Sequence, residues 1–373
     1  MRAVTRATRL LMTADAVGGV WTHALDLAGA LATRRVETTL AVLGPAPSEA
    51  QRAQARRAGV GLVVLDAALD WLARGERDIL QAGDAVARLA VECGADLVQL
   101  NSPALAIVDM PCPVLGVCHS CLATWWDAVR GGAMPPDFVW RSAMLARGYA
   151  RCHARVAPSH AFAAATQRRY ALSAAPHVVW NGRVDVPGST ATEAAGFAFT
   201  AGRLWDEGKD AATLDRAAAR LDLPFLAAGP VRGPQGAGIS LSHLRVLGEI
   251  GAAGIREWLA RGPIFVSAAR YEPFGLAVLE AAQAGCALVL SDIPTFRELW
   301  DGAALFVVPG DDAAFASRIA WLSRDGEQRS RLRVAALRRS RRFGVAAMAD
   351  GMAAIHARLL AASPLRPEGS VAA

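Results

Sequence analysis

Lysine is almost absent from this chain, whose 373 residues include one lysine, Lys209, against 39 arginines. A lysine-rich basic tract is therefore excluded, and arginine supplies nearly all of the ordinary surface positive charge. Asparagine is also scarce, since only Asn101 and Asn181 occur, each at the end of an apolar, strand-like run. The position of the lone lysine is therefore informative.

Cysteine is sparse as well, with six residues in no framework spacing, which excludes a disulfide scaffold and fits reduced thiols. The pair Cys118-x-x-Cys121, with His119 between its members, raises the alternative of a zinc or redox site. Further ligands near in sequence are Cys112, Cys152 and His153. A second Cys-x-x-Cys or a spaced histidine pair would be needed to complete a tetrahedral set, and neither is present. We expect no metal.

Long apolar runs are missing. The opening run is broken at Asp15, and the uncharged stretch 110–126 is short for a membrane helix and contains two prolines. We therefore expect no signal peptide, no membrane span and a cytoplasmic location. The net charge of +6 leaves a weak peripheral contact with the inner membrane face open, although the arginine clusters are expected to be solvated. These clusters are Arg52, Arg56 and Arg57, and Arg338, Arg339, Arg341 and Arg342.

Internal repeats and recognised nucleic-acid modules are also missing, so a solenoid and a nucleic-acid partner are not expected. A chain of this length exceeds what one hydrophobic core supports, and two domains are predicted. Apolar strand-like runs alternate with helical patterns throughout, which predicts an α/β fold with parallel sheets covered on both faces. In the first half these runs are 9–13, 38–43, 61–65, 97–100, 114–118, 154–157 and 177–180. In the second half they are 197–205, 223–228, 244–249, 263–269, 287–292 and 304–308.

The predicted organisation is therefore two Rossmann-like domains that face each other across a cleft. The first comprises residues 1–185. A linker-like stretch, 186–196, opens the second domain, residues 186–343. The remaining segment, 344–373, is predicted to hold a last helix at about 344–361 and a frayed tail.

The most informative segment reads Glu-Pro-Phe-Gly-Leu-Ala-Val-Leu-Glu, from Glu272 to Glu280. A strand-like run precedes it and good helix formers follow, so Glu272 lies on a loop and Glu280 about two turns into a helix. The free backbone N–H groups near Phe274, Gly275 and Leu276 suit an anion such as phosphate. Carboxylates accept hydrogen bonds from paired hydroxyls. The layout therefore fits a phosphate flanked by two polyols, which describes a sugar nucleotide.

This Glu-x-x-Gly-x-x-x-x-Glu pattern resembles the signature of retaining glycosyltransferases of the GT-B fold, and this version resembles glycosyltransferase family 4 (group 1). The resemblance implies that Glu272 and the following amides hold the donor sugar and diphosphate. It implies that Glu280 takes the ribose hydroxyls of the nucleotide. By the same resemblance, the second domain would bind the nucleotide-sugar and the first would bind the acceptor. It also implies that the last helix crosses back to the first domain, as it does in this fold.

A second segment, Gly-Arg-Leu-Trp-Asp-Glu-Gly-Lys, runs from Gly202 to Lys209 after another strand. Two cations on such a loop can neutralise a diphosphate leaving group, Arg203 through a bidentate fork and Lys209 as a point charge. The family has a similar element here, so the resemblance assigns both residues to the donor phosphates. In the commoner family pattern the lysine comes one residue sooner.

The loop after the first strand is expected to reach the site, because ligands of open α/β sheets bind beyond the carboxyl ends of the strands. Its pair Gly18-Gly19 resembles the family's glycine loop near the donor diphosphate or the acceptor; the alternative is a simple tight turn. Asp15 and His23 are candidate acceptor contacts, and a structural role for His23 is the alternative.

The loop after the run 114–118 places His119 where family 4 enzymes have a histidine that touches the donor sugar. The aromatic side chains of Trp125 and Trp126 suit a sugar face or an acceptor, or they pack beneath the loop. A further candidate loop contains Ser159 and His160.

We therefore expect a retaining, metal-independent glycosyltransferase that uses a nucleotide diphosphate-sugar and no cofactor. Its acceptor would be a hydroxyl-bearing sugar, glycolipid or small molecule, in glycan, polysaccharide or glycolipid synthesis. One alternative is a GT-B-fold sugar-nucleotide 2-epimerase, and another is a non-catalytic sugar-nucleotide-binding protein. Acceptor-dependent release of nucleotide separates the three.

Overall fold

The computed structural model describes residues 6–184, 196–233 and 236–362. The predicted linker and the predicted frayed tail lie outside these residues, apart from Gly196 and Ala362 at their ends. Two parallel sheets organise the chain, one in each half.

The first sheet has seven parallel strands in the order β3-β2-β1-β4-β5-β6-β7. They are β1 (Thr8–Asp15), β2 (Val36–Leu43), β3 (Gly61–Val64), β4 (Leu97–Leu100), β5 (Val114–Val117), β6 (Ala154–Ala157) and β7 (His177–Val178). The helices of this half are α1 (Gly19–Ala32), α2 (Glu49–Arg57), α3 (Glu76–Glu92), α4 (Leu122–Val129), α5 (Pro136–Arg151) and α6 (His160–Arg169).

The second sheet has six parallel strands in the order β10-β9-β8-β11-β12-β13. They are β8 (Ala198–Ala201), β9 (Phe225–Ala228), β10 (Arg245–Gly248), β11 (Ile264–Ser267), β12 (Ala287–Ser291) and β13 (Leu305–Val307). The helices are α7 (Ala211–Ala218), α8 (Gly251–Ala260), α9 (Leu276–Gln283), α10 (Pro294–Trp300), α11 (Asp312–Arg324), α12 (Gly326–Ser340) and α13 (Val345–Ala362).

Both sheets are covered on their two faces, as apolar runs without alternation predict. Every residue of β4, β5 and β12 is buried. Separate groups of buried side chains fill the two faces of each sheet. The predicted fold class, two Rossmann-like halves of the GT-B type, is confirmed.

The last helix, α13, packs against the first half of the chain. Its Met348, Met352 and Ile355 are buried in one cluster with Leu27 and Leu31 of α1. By length and composition α13 is apolar enough to cross a membrane, and 28% of it is buried within the structure. The division at 185/186 and 343/344 stays a prediction.

The two halves also meet through α6 and α10. The carboxylate of Glu298 in α10 accepts the backbone N–H groups of His160 and Ala161, at 2.9 and 2.7 Å. The Ser159 hydroxyl donates to the carbonyl of Pro273 at 2.7 Å. The loop with Ser159 and His160, proposed as a site candidate, therefore serves as a contact between the halves.

Candidate active site

A cavity of about 1050 Å³ lies between the two sheets, walled by loops that follow β1, β4, β5, β8, β9, β10 and β11. This is where the strand-end rule places ligands. Residues proposed from the sequence that line it are Asp15, Gly18, Gly19, His119, Trp125, Arg203 and Glu280. Others lie outside its lining: His23, Trp126, Lys209, Glu272, Phe274, Gly275 and Leu276. Of these, Glu272 and Leu276 have sequence neighbours that do line it, Tyr271 and Ala277.

The starts of α1 and α9 approach each other at this cavity. A Cβ added to Gly19, the first residue of α1, would lie 3.5 Å from Leu276 Cδ1, at the first residue of α9. Gly275 precedes α9 with a φ of 94°, a left-handed conformation that favours glycine. Both helices thus direct their unpaired N–H groups and positive dipole ends toward the region between the halves.

The segment between β8 and α7 carries Arg203 and Lys209, and each has an acidic partner. Arg203 donates to Asp206 at 2.8 Å, and its side chain stays 57% exposed. Burial raises the pKa of Asp206, but the Arg203 charge and hydrogen bonds outweigh it, so the net pKa is lowered. Lys209 forms an ion pair with Glu272, the first residue of the paired-carboxylate segment. The proposed phosphate-binding lysine and sugar-binding carboxylate are therefore in direct contact.

Backbone hydrogen bonds hold these two segments in register. The N–H groups of Arg270 and Tyr271 both donate to the carbonyl of Gly208, at 2.9 and 3.2 Å. Trp125 of the other half donates its indole N–H to Asp206 at 3.1 Å. A Cβ at Gly208 would lie 2.7 Å from that indole nitrogen, so glycine is needed there. Trp125 therefore joins the halves as well as lining the cavity.

Glu280 is held by an arginine that the sequence reasoning missed. Arg183 donates to Glu280 at 2.8 Å and also pairs with Asp26 of α1, so one guanidinium links α1 to α9. The three side chains are only 15 to 22% exposed. Burial raises the pKa of Asp26, and the Arg183 charge offsets this in part. Arg183 lies two residues after Asn181, but no motif marked it as a ligand.

Asn101 determines which ring nitrogen of His119 carries the hydrogen. The side-chain N–H of Asn101 donates to the Thr13 carbonyl at 2.7 Å, which leaves its Oδ1 as an acceptor, 3.0 Å from His119 Nε2. His119 Nε2 therefore carries the hydrogen, and Nδ1 is the acceptor. Burial lowers the pKa of His119 well below its usual range, with a smaller effect of nearby His23, so the ring is neutral.

His23 lies beneath this histidine, away from the cavity. The two rings are edge to face with centroids 4.6 Å apart. Burial lowers the pKa of His23 to about 4, and the Asn181 side chain opposes this slightly. Each of the chain's two asparagines therefore interacts with one histidine of this pair. His23 is 3% exposed and packs against His119.

Two carboxyl groups line the cavity on the side of the first sheet. The Val17 N–H donates to Asp15 at 2.9 Å, and the Ser102 hydroxyl donates to Asp70 at 2.6 Å. Burial raises the pKa of both, and the charge of Asp70 raises that of Asp15 further. Asp70 was missed because it lies in a loop (66–75) without a recognisable motif.

One member of the cysteine pair, Cys121, takes part in a contact between the halves. The Cys121 N–H donates to the Tyr271 hydroxyl at 3.1 Å, and Thr124 is 2.9 Å from the same oxygen. Burial raises the pKa of Cys121 and raises that of Cys118 to about 12, which disfavours the thiolates that bind zinc. Within the described ranges, no three His, Cys, Asp or Glu side chains come together as a metal site.

Trp126 and Phe274, the remaining proposed residues, pack against other aromatic side chains. Trp126 packs edge to face on Phe138 and donates to the Gly132 carbonyl at 3.1 Å. Phe274 is 3% exposed and packs against Phe343, so only its backbone is available to a ligand.

Family models match both halves of the chain. One described as "Glycosyltransferase Family 4" matches residues 17–186, and one described as "Glycosyl transferases group 1" matches residues 197–325. A phosphatidyl-myo-inositol mannosyltransferase of Mycobacterium leprae is 34% identical over 110 residues, which is 29% of each chain.

Solved structures show the same fold. Sucrose-phosphate synthase from Thermosynechococcus elongatus superposes with a TM-score of 0.78 at 18% identity, over 95% of this chain and all of that one. Anabaena HepE in complex with UDP-glucose gives 0.72 at 17% identity, over 94% of this chain and all of that one. With both sheets, the cavity and both family models in agreement, the chain belongs to the group 1 glycosyltransferases of family 4.

Proposed function

We propose that this protein is a retaining, metal-independent glycosyltransferase that moves a sugar from a nucleotide diphosphate-sugar to a hydroxyl acceptor. The observation that carries the proposal is the ion pair between Lys209, whose segment also carries Arg203, and Glu272 on the loop before α9. This ion pair lies beside a cavity shared by both halves. Cations and helix N-termini that converge on one place suit a diphosphate.

The donor would lie against the second sheet. Arg203 is more than half exposed, so its guanidinium is available to a phosphate. Lys209 would exchange its partner Glu272 for the diphosphate, and Glu272 would then accept hydroxyls of the sugar. Glu280, oriented by Arg183, would accept the ribose hydroxyls through its second oxygen. Gly18 and Gly19 permit close approach of the backbone on the opposite wall.

Catalysis would be mainly electrostatic. As the glycosidic bond to phosphate breaks, Arg203, Lys209 and the amides of α9 stabilise the growing negative charge. The acceptor oxygen bonds to the anomeric carbon on the face that the phosphate leaves, and the departing phosphate takes the acceptor proton, so the anomeric configuration is retained. Neutral His119 would accept a hydrogen bond from a donor-sugar hydroxyl at Nδ1.

Thermal unfolding with UDP, GDP, ADP and their sugar conjugates tests the donor site. UDP-glucose is the first choice, because the HepE structure contains it. A ligand at about a hundred times its dissociation constant adds about 2.7 kcal/mol, which shifts the melting temperature visibly. The proposal is overturned if no nucleotide or conjugate shifts the melting temperature.

Glu280→Ala should weaken nucleotide binding by about 1–3 kcal/mol, which is the usual loss when a charged hydrogen-bond partner is removed. Glu257→Ala is the matched control, because Glu257 lies exposed on α8. Equal nucleotide affinity in both variants would remove Glu280 from the site.

Retention and metal independence have their own tests. NMR of the anomeric proton in the first product should show the configuration of the donor. Turnover should survive EDTA, and an EDTA-inhibited enzyme that zinc restores would revive the Cys118/Cys121 alternative.

We further propose the division into domains 1–185 and 186–343 with a crossing segment 344–373, and a cytoplasmic location. The arginine-rich ends of α2 and α12 would be attracted weakly to an anionic membrane. Sedimentation with phosphatidylserine vesicles tests that contact.

A further inference from the structure

The cavity is not uniform, and its part in the first half of the chain is largely apolar. Its walls there include the aliphatic side chains of Leu69, Leu105 and Leu145 and the rings of Trp71, Phe138 and Trp140. The three leucines belong to the hydrophobic core of the first sheet and are at most 8% exposed. Core side chains thus form a wall of the cavity.

Apolar surface in contact with water is less favourable than buried apolar surface by about 25 cal/mol per Å². A ligand with an apolar body would cover this wall and add dispersion contacts to it. A sugar would instead bring a hydroxyl on nearly every carbon, and each buried hydroxyl needs a partner.

The aromatic part of the wall is held in place by an arginine that also lines the cavity. The guanidinium of Arg141 lies 4.5 Å from the centre of the Trp140 ring. It also donates to the Asp70 carbonyl at 2.7 Å and to Asp137 at 3.1 Å, with only 10% of its side chain exposed. The wall is therefore preorganised for a ring-shaped occupant.

One carboxyl group gives this apolar region a polar end. The Asp70 oxygens accept the Ser102 hydroxyl at 2.6 Å and the Trp71 N–H at 2.8 Å. Each oxygen keeps a further lone pair, and Asp70 lines the cavity. A single hydroxyl on the occupant would find its partner there, on the same side as Asp15.

We propose that the acceptor is a small alcohol or phenol with an apolar ring system, which packs against Trp140 and the core leucines and directs its hydroxyl to Asp70. This inference rests on the proposed glycosyltransferase function and narrows its acceptor to a small molecule. Asp70 acts here as an acceptor-binding residue.

Nucleotide release and product mass are measured with three acceptors: 2-naphthol, methyl glucoside, and phosphatidylinositol in vesicles. The donor is the nucleotide-sugar with the largest thermal shift. We expect 2-naphthol to raise nucleotide release at least about tenfold above methyl glucoside, the range that apolar pocket contacts provide. Equal or greater release with the sugar or the lipid overturns the inference.

Two variants test where the acceptor binds. Trp140→Ala and Asp70→Asn should each raise the KM for 2-naphthol about tenfold, while nucleotide thermal shifts stay unchanged. Trp321→Ala is the matched control, since this tryptophan is 37% exposed on α11 and lies outside the cavity lining. An unchanged KM in both variants contradicts the assignment.

Different results would contradict the glycosyltransferase function and the acceptor assignment. Absence of any nucleotide shift removes the glycosyltransferase function itself. A normal nucleotide shift with no preference for 2-naphthol removes only the acceptor assignment.

Discussion

Lys209, the one lysine of the chain, forms an ion pair with Glu272 across two segments that lie 63 residues apart in sequence. The side chains are 26% and 15% exposed, so the pair is partly shielded from water. Each residue was assigned to the donor from a separate motif, and the fold places them in contact. We infer that the pair is the ligand-free arrangement of two donor contacts, each neutralising the other until a diphosphate competes for the lysine.

Chemical modification tests this role, because the chain has a single ε-amine. Acetylation with an amine-selective ester should abolish transfer in step with modification of Lys209, measured by peptide mass spectrometry, which separates it from the α-amine. Saturating nucleotide diphosphate should protect both the residue and the activity. Lys209→Met should lower turnover about a hundredfold or more, as for other losses of transition-state charge stabilisation.

Lys209→Arg provides the control for reagent damage elsewhere. It keeps a positive charge and removes the reactive amine, so its residual activity should resist the ester. Full acetylation of the wild-type lysine with undiminished turnover would exclude Lys209 from the reaction.

The strands and helices near the site were predictable because their patterns are local. A continuous apolar run such as β12 (Ala287–Ser291) identifies a buried parallel strand, and the helix formers after Gly275 identify α9. Gly285 ends that helix with a φ of 74°, as expected for a C-terminal glycine. These signals depend only on neighbouring residues.

The partners that orient the site could not be predicted in the same way. Arg183 meets Glu280 and Asp26 across 97 and 157 residues, and a chain with 39 arginines gives no sign of which one does so. Asp70 likewise lies in a loop without a motif. Asn101 had a usable signal, its rarity, but only the fold shows that it holds His119.

The start of α9 yields a prediction about Gly275. With its φ of 94°, alanine there would adopt a left-handed conformation that is unfavourable by about 1–2 kcal/mol. Its Cβ would also lie 3.1 Å from Phe296 and 3.3 Å from the side chain of Glu272. Gly275→Ala should therefore lower the melting temperature and also weaken nucleotide-sugar binding, measured by calorimetry, because the crowding displaces Glu272.

The other end of the same helix supplies the matched control. Gly285 is also left-handed, but a Cβ there would meet no atom within 4 Å. Gly285→Ala should lose similar stability and bind the donor as the wild type does. If both variants bind equally, the start of α9 has no special part in donor binding.

Acid should destabilise the first sheet and α13, which packs against it, through buried histidines. Burial lowers the pKa of His23 and of His356 from the ordinary 6.5 to about 4. Between these values the unfolded chain binds protons that the folded chain does not, so stability falls as pH decreases from 6.5 toward 4. Above 6.5 the contribution is fully present. Within this window each histidine lowers the free energy of unfolding by about 1.4 kcal/mol for each unit by which the pH falls.

Melting temperatures measured in half-unit steps from pH 7 to pH 4 check this expectation. His356 lies on α13, 3.0 Å from Gln99 of β4, and His356→Gln replaces it with a side chain that does not titrate. The melting temperature of that variant should fall less steeply below pH 6.5 than that of the wild type. His177→Gln, at an exposed position on β7, is the matched control for loss of a histidine. Parallel pH profiles for all three proteins would show that His356 does not carry the acid sensitivity, and the docking of α13 would then owe nothing to a neutral histidine.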